Sequence, residues 1–326
     1  MADQVLPSTL ARAVIGPLVV LVVLTGCTTG TTADKATETQ SVGSAFEHIH
    51  GLGADPLTGN TYAATHHGVW LLPTGMLPES YLAGAPRGTT DAPAQIGGRA
   101  QDAMGFTVAA PGILLTSGHP DPDEETELPL PNLGLESSID GAETWTRLSL
   151  RGVTDLHDLD TVPLSAAVQD AETFRVYGYD SGAGTVSISD DSGMTWSSGA
   201  ALPLRDLAAD PTNPDRVFAT TAEGLAVSTD AGRTFALVDG APLLILIDAV
   251  GVEGGAGLVG VDPEGAIWRQ DGASGIWVQT GATDGIPEAL NVVDGATPWI
   301  LVADARGIVA SDDDGATWTT LVGVGT

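Results

Sequence analysis

Short apolar segments alternate with turn-forming residues along most of this 326-residue chain. The order repeats: an apolar strand, an Asp-Pro or Asp-Gly turn, a second strand, a third strand that begins with glycine, an aromatic turn motif, and a fourth strand. One unit shows every segment clearly, at Leu204–Ala209, Asp210-Pro211, Val217–Thr221, Gly224–Ser228 and Ala236–Val238. This pattern predicts one four-stranded antiparallel sheet per repeat.

The aromatic turn motif is an octapeptide, S-x-D-x-G-x-T-[WF]. It is intact at Ser189–Trp196, Ser228–Phe235 and Ser311–Trp318. A fourth copy, 138–145, has Ala142 in place of the glycine, and a fifth, 270–277, keeps little besides Gly275-Ile276 and its tryptophan. The copies begin 51, 39, 42 and 41 residues apart. Such a period, with one aromatic turn per unit, predicts a β-propeller.

Each position of the octapeptide has a physical role. The glycine allows the positive φ that a hairpin turn requires, and the Asp, Ser and Thr side chains can bond the backbone N–H groups of the turn. The tryptophan offers a large apolar surface, which we expect to be buried between neighbouring sheets.

The octapeptide resembles the Asp box of sialidases and related BNR-repeat propellers, and the resemblance covers most of the chain after residue 45. It implies an all-β, six-bladed β-propeller over residues 46–326, with each box between the third and fourth strands of a blade, on the face away from the active site. The predicted blades begin at Phe46, Gln101, Asp155, Leu204, Leu243 and Glu288, and an insertion near 74–92 replaces the box of the first blade. Because Asp boxes are structural, they predict a fold rather than an activity.

The amino terminus predicts export and anchoring. An apolar run at Ala13–Leu24 is too short to span a bilayer and ends in small residues, as signal peptides do. The following Leu24-Thr25-Gly26-Cys27 resembles a bacterial lipobox. We therefore expect a signal peptide at 1–26, a lipidated Cys27 on the outer side of the cell membrane, and a flexible linker at 27–45. Cys27 is the only cysteine, so no intrachain disulfide is possible.

The formal net charge of −30 disfavours binding to nucleic acid. The expected partners are therefore the membrane, through Cys27, and a metal ion, glycan or small polar ligand. No oligomer is implied.

All six histidines map to the upper face, opposite the boxes, in the first three blades. Aligning the first strands of the blades places His50, Met104, His157 and Arg205 around the channel mouth, with Asp102 two residues before Met104. Imidazoles with a carboxylate suit zinc or copper, and a nearby methionine favours Cu(I). The predicted metal ligands are His48, His50, His66, His67, His119, His157 and Asp102. The alternative is that these histidines only hydrogen-bond to fix the upper loops.

Other upper-face residues are candidates for ligand binding. Met104, Arg205 and Tyr179 are expected to contact a ligand, and Tyr179 suits sugar stacking. An acidic insertion at 121–127 follows His119 and is a lid, a cation-gathering loop or simply a solvated segment.

These residues leave three functions open. The first is a surface-tethered propeller that binds a metal ion or a small polar or glycan ligand at the histidine-rich mouth. The second is a glycosyl hydrolase, with Asp102, Asp158 and Asp206 as candidate catalytic carboxylates. The motifs His-x-His-Gly-Leu-Gly, Thr-His-His-Gly and Ser-Gly-His-Pro resemble a group of bacterial lipoproteins often labelled so, although the arginine triad implied by sialidase resemblance is missing. The third is a scaffold that docks a protein.

Overall fold

The fold is a closed ring of six blades. The computed structural model describes residues 46–86, 90–121, 131–164, 173–252, 255–272, 274–295 and 297–324. Within these residues, twenty-four strands form six four-stranded antiparallel sheets, and the first strands of successive sheets contact one another around a complete circle. This confirms the predicted all-β, six-bladed β-propeller.

Each blade is a meander whose first strand lines the channel and whose fourth lies outermost. The first three blades comprise β1 Ile49–Ala54, β2 Thr61–Thr65, β3 Gly68–Leu71, β4 Ala94–Gln95, β5 Asp102–Ala110, β6 Ile113–His119, β7 Gly134–Ser138, β8 Thr146–Ser149, β9 Leu156–Pro163, β10 Phe174–Asp180, β11 Thr185–Ser189 and β12 Ser197–Ala201. The last three comprise β13 Asp206–Ala209, β14 Val217–Thr221, β15 Gly224–Ser228, β16 Ala236–Leu237, β17 Leu246–Val252, β18 Gly255–Val261, β19 Ala266–Gln270, β20 Trp277–Ala282, β21 Ala289–Val293, β22 Trp299–Asp304, β23 Gly307–Ser311 and β24 Thr319–Gly323.

Several predicted segments lie outside the described residues. These are the signal peptide, Cys27, the linker and all of the acidic insertion except Asp121. In the part of the chain that is described, no helix has the length and apolar character needed to cross a membrane.

The octapeptide turns join the third and fourth strands of their blades, as expected. In one of them, the Ser189 hydroxyl donates to Asp191 Oδ1 (2.8 Å) and accepts the Gly193 N–H (2.9 Å). The other oxygen of Asp191 accepts the Thr195 hydroxyl at 2.6 Å. The same three bonds recur in the copies at 138–145, 228–235 and 311–318.

Each of these turns needs two left-handed residues rather than one. Ser192 and Gly193 have φ of 60° and 90°. In the copy that departs from the motif, Gly141 and Ala142 both have φ of 74°. That copy therefore keeps its glycine one position earlier, and its turn is preserved.

The apolar core lies between blades rather than inside them. Six clusters of buried side chains are found among the described residues, one at each junction of neighbouring blades. Trp196 packs against the cluster between the second and third blades, and its indole N–H donates to Ser149 Oγ at 2.9 Å. The predicted position of the box tryptophans between neighbouring sheets is confirmed, since Trp196 and Trp318 pack against clusters between blades. Their predicted burial is only partly confirmed, because both are half-buried.

The ring closes without a shared strand, since the first and sixth sheets each use only their own consecutive strands. Instead, the first-blade insertion supplies buried Tyr81, which packs edge-on against Trp299 of the sixth blade with ring centroids 5.4 Å apart. Its hydroxyl is 2.7 Å from Thr61 Oγ1. At the channel, the Ile49 N–H donates to Glu288 Oε2 at 2.9 Å.

A side-chain acceptor bonds a backbone N–H of the next blade at every junction. The first strands belong to separate sheets and do not pair with each other, so most of these acceptors satisfy first-strand N–H groups that a sheet edge would leave open. In ring order the pairs are Asp55 with Gly112, Ser117 with Leu156, Asp158 with Leu207, Asp160 with Ala209, Asp206 with Ile247, Asp248 with Val292, and Glu288 with Ile49.

Replacing Trp196 with alanine tests the half-buried position of the box tryptophan. We expect Trp196→Ala to lower the free energy of unfolding by about 1–3 kcal/mol, less than for a fully buried tryptophan. Met194→Ala, in the same turn but with Met194 55% exposed, should change it by less than about 0.5 kcal/mol. Urea unfolding checks both, and equal effects would contradict the packing role of Trp196.

Removing Glu288 tests the closure of the ring. Glu288→Ala leaves the Ile49 N–H without its acceptor, and we expect a loss of about 1–2 kcal/mol of unfolding free energy. Glu264→Ala, at an exposed turn position, is the matched control. Indistinguishable midpoints in thermal unfolding would show that this hydrogen bond does not help to close the ring.

Candidate metal site at the channel mouth

Three inner strands carry a β-bulge at the same place. The register of β1 shifts at His50, that of β5 at Met104, and that of β9 at His157. A bulge leaves one residue out of the ladder and re-aims its side chain. The alignment of these three positions in the sequence therefore reflects a shared local geometry.

His66 and His67 form the two-residue turn between β2 and β3. Buried Thr65 stabilises this turn, since its hydroxyl donates to the Gly68 carbonyl (3.0 Å) and accepts the His67 N–H (2.9 Å). The fourth blade builds a similar turn from Thr221 and Gly224 without histidine. The hydrogen-bonded turn therefore recurs in another blade, whereas the two histidines within it belong to the first blade.

Glycines bring the inner strands of the first three blades close together. A Cβ on Gly105 would lie 2.3 Å from the Leu156 carbonyl oxygen of the third blade. A Cβ on Gly51 would lie 3.2 Å from the Phe106 Cβ of the second blade. A larger residue at Gly105 would force these strands apart, so this close approach helps the histidines of separate blades to meet.

Asp102 is the centre of the histidine cluster. Its Oδ1 is 2.8 Å from His66 Nδ1 and 3.5 Å from His50 Nε2, and these two nitrogens are 3.3 Å apart. We call His50, His66 and Asp102 the first histidine set. In the described parts of the chain, it is the one group of His, Cys, Asp and Glu whose three donor atoms all lie within 4.8 Å of one another.

The protonation states of His50 and Asp102 suit a metal ion. Burial lowers the pKa of His50, although Asp102 opposes that effect. Burial would raise the pKa of Asp102, but hydrogen bonds from His50 and His66 outweigh it and lower that pKa to about 2. Neutral imidazole and ionised carboxylate are the forms that bind metals.

The donor separations match a tetrahedral site. With bonds of about 2.0–2.1 Å to zinc, the corners of a tetrahedron are about 3.3–3.4 Å apart. The His50–His66 and His50–Asp102 separations of 3.3 and 3.5 Å already fit. Only the His66–Asp102 contact would have to lengthen, by about 0.5 Å.

The other four histidines are distributed around this set. His48 Nδ1 is 3.1 Å from Glu288 of the sixth blade, and His67 Nε2 is 3.5 Å from Glu47. His119 Nδ1 is 3.4 Å from Asp102 Oδ2, and its Nε2 is 3.6 Å from Asp155 Oδ2. His157 Nε2 is 2.6 Å from the same Asp155 oxygen. We call His119, His157 and Asp155 the second histidine set.

The predicted ligand-contacting residues occupy three different surroundings. Met104 is half-buried at the β5 bulge, two residues from Asp102. Exposed Arg205 reaches the Pro287 carbonyl of the sixth blade at 3.4 Å. Half-buried Tyr179 packs against the apolar cluster between the third and fourth blades.

Asp158 and Asp206 lie apart from Asp102, in the wall of the channel. Together with Asp160, Asp248 and Glu288 they line a cavity of about 70 Å³. Burial raises the pKa of Asp158 and of Asp160 to about 7. Burial, followed by repulsion from neighbouring carboxylates, also raises the pKa of Asp206 and Asp248.

Sequence reasoning missed Asp155 as a site residue, and among the inner acids it named Asp158 and Asp206 but not Asp160, Asp248 or Glu288. Asp155 lies two residues before His157, as Asp102 does before Met104 and His48 before His50. The same register that selected Asp102 therefore pointed to Asp155. Asp160 lies two residues after Asp158, so the period of a strand put it on the same inner face, whereas Asp248 is the one acid in an apolar strand and had no such cue.

The chain was compared with known proteins. No protein-family model matches it, and no curated protein matches it. Among solved structures, an ancestral GH74 enzyme is 12% identical over 84% of this chain and 38% of its own, with a TM-score of 0.50. A GH74 xyloglucanase from Xanthomonas campestris is 15% identical over 83% and 38%, with a TM-score of 0.48. A chain of a nidogen/laminin complex is 12% identical over 79% and 90%, with a TM-score of 0.52.

These similarities concern the fold. At such identities, shared architecture carries no activity from one protein to another. This chain also spans only 38% of the length of the GH74 enzymes that it resembles.

The inner acids predict an unusual pH dependence of stability. A carboxyl whose pKa is raised from 3.8 to about 7 in the folded state stabilises most below pH 4, and that stability is lost as the pH rises through 7. Asp206→Asn removes a neighbouring carboxyl whose pKa burial also raises, and it keeps an oxygen for the Ile247 N–H. From pH 5 to pH 8, we expect this variant to gain about 1–3 kcal/mol relative to the native chain.

Urea unfolding at both pH values measures this gain. Comparing each variant with the native chain cancels the opposite contribution of His50, whose lowered pKa favours stability at higher pH. Asp239→Asn, at an exposed position, should follow the native chain. A difference between the Asp206 variant and the native chain that stays constant from pH 5 to pH 8 would rule out this role of the channel acids.

Proposed function

We propose that this protein is an extracytoplasmic, lipid-anchored propeller that binds a zinc or copper ion at the mouth of its channel. The observation that carries the proposal is the convergence of His50 Nε2, His66 Nδ1 and Asp102 Oδ1 within 4.8 Å of one another. Two imidazoles and one carboxylate leave a fourth position open, as in sites where a metal ion holds water or a ligand.

The choice between the two metals depends on the surrounding donors. Imidazole nitrogen suits both zinc and copper. Met104, at the neighbouring bulge, would add a soft donor that favours Cu(I). Exposed Arg205, on the same face, would contact an anionic or polar ligand of the ion.

The proposed family and location have separate support. Four octapeptide turns with the same side-chain hydrogen bonds favour a member of the Asp-box propellers. The apolar run that ends in Leu24-Thr25-Gly26-Cys27 favours lipid anchoring outside the cell membrane.

A binding role is preferred over glycoside hydrolysis because of what the channel carboxylates contact. Asp158 and Asp206 each accept a backbone N–H of the next blade, from Leu207 and Ile247. A carboxylate that accepts such a hydrogen bond has a structural role, because the bond joins two blades. Asp102, the third candidate catalytic carboxylate, contacts His66 and His50 instead.

Metal content tests the proposal directly. The full chain, purified in detergent and dialysed against Zn²⁺ or Cu²⁺ and then against buffer, should retain stoichiometric metal by elemental analysis. The His50→Ala/His66→Ala variant should lose one equivalent, and the affinity remaining at that site should fall by more than about 100-fold. His67→Ala, in the same turn but paired with Glu47, is the control and should retain the native content.

Circular dichroism and thermal unfolding verify that each variant is folded. Native metal content in the folded double variant would refute a site at His50, His66 and Asp102. Absence of metal from the native chain would refute metal binding altogether.

A further inference from the structure

The second histidine set repeats the chemistry of the first. It has two imidazoles and one carboxylate, and Asp155 Oδ2 is the common neighbour of His119 Nε2 at 3.6 Å and His157 Nε2 at 2.6 Å. Asp155 is largely buried, with a side chain 14% exposed, whereas the histidines are 43% and 35% exposed. The carboxylate is thus fixed, and the imidazoles have room to turn.

Asp102 links the two sets through its two oxygens. Oδ1 faces His66 and His50, while Oδ2 faces His119 Nδ1 at 3.4 Å. A bond from Nδ1–H to Oδ2 would fix the tautomer of His119 and leave Nε2 free for a metal ion. A carboxylate that orients a metal-binding imidazole in this way is a recurrent feature of metal centres.

We propose that the mouth binds a second divalent transition-metal ion between His119 Nε2, His157 Nε2 and Asp155 Oδ2. This proposal rests on the proposed function, because Asp102 belongs to both sites: it is a ligand of the first ion and positions a ligand of the second.

The geometry requires both imidazoles to turn. The ring nitrogens of His119 and His157 lie more than 4.8 Å apart, since this set is not among the described groups whose donor atoms all lie within that distance, and they would have to approach to about 3.3–3.4 Å. The His119–Asp155 separation of 3.6 Å is already close to the edge of about 3.3–3.4 Å expected around a tetrahedral ion. The His157–Asp155 contact would have to lengthen by about 0.7 Å. His157 occupies a β-bulge, outside the strand ladder, so its side chain can move without breaking a backbone pair.

The charges of the two sites are compatible with a pair of cations. Each set supplies one carboxylate, and Glu288 lies beside His48 at the same mouth. The formal net charge of −30 favours the accumulation of cations at the surface.

Metal stoichiometry in matched variants tests the proposal. The full chain is titrated with Zn²⁺ by calorimetry, and retained zinc is counted by elemental analysis. We expect two ions in the native chain, one in Asp155→Asn, one in His50→Ala/His66→Ala, and two in the control Asp239→Asn, at an exposed position. Asp102→Asn should lose the first ion and weaken the second by about 10–100-fold, because His119 loses its positioning partner.

Cu²⁺ provides an independent measurement. Electron paramagnetic resonance should show an isolated copper signal at one equivalent of Cu²⁺ and a signal broadened by a neighbouring copper at two. The broadening should disappear in Asp155→Asn, whose thermal unfolding should verify that it is folded.

The outcomes separate the two proposals. A native chain that binds one ion, lost in His50→Ala/His66→Ala and kept in Asp155→Asn, overturns the second site and leaves the first. One ion lost only in Asp155→Asn would overturn the first site as assigned. A native chain that binds none would overturn both.

Discussion

The hydrogen bond from a side-chain acceptor to a backbone N–H of the following blade is the interaction on which this ring depends. The inner strands of this propeller are the edges of separate sheets and form no ladder with each other, so their N–H groups need acceptors from elsewhere. Asp158, Asp206 and Glu288 are three of these acceptors. Since the acceptors are mostly carboxylates, the requirement that closes the ring also makes the channel acidic.

The histidine-rich sector lies where the inner positions of this ring are occupied by glycine rather than acid. Gly51 and Gly105 stand in the first and second blades at the place that Asp158 occupies in the third. Their lack of a side chain lets the inner strands approach closely. The bulged residues above them, His50 and Met104, are thereby brought to the same mouth as the histidine turn of the first blade.

The fold was predictable because it is repeated in the sequence, whereas the site was predictable only in part. The octapeptides and their period predicted six blades and the positions of the turns. The alignment of first strands made His50, Met104, His157 and Arg205 equivalent, and the structure has a bulge at the first three of these positions. Pairings between blades could not be derived in this way. They depend on rotamers and on close approach, as with His48 and Glu288. The closure through Tyr81 and Trp299 was equally hidden, because it involves an insertion outside the repeat.

The two groups of carboxylates explain why the metal proposal concerns the mouth rather than the more acidic channel. Asp102 is surrounded by imidazole donors that stabilise its charge, and its pKa falls to about 2.

Asp158 and Asp206 have no comparable partner. None of the described residues that line their cavity is a lysine or arginine. Burial therefore favours the protonated form of the channel acids at neutral pH, and a proton competes with any cation there. At the mouth, the carboxylate is already ionised and the buried imidazole already neutral, so a metal ion displaces at most the hydrogen bonds between them.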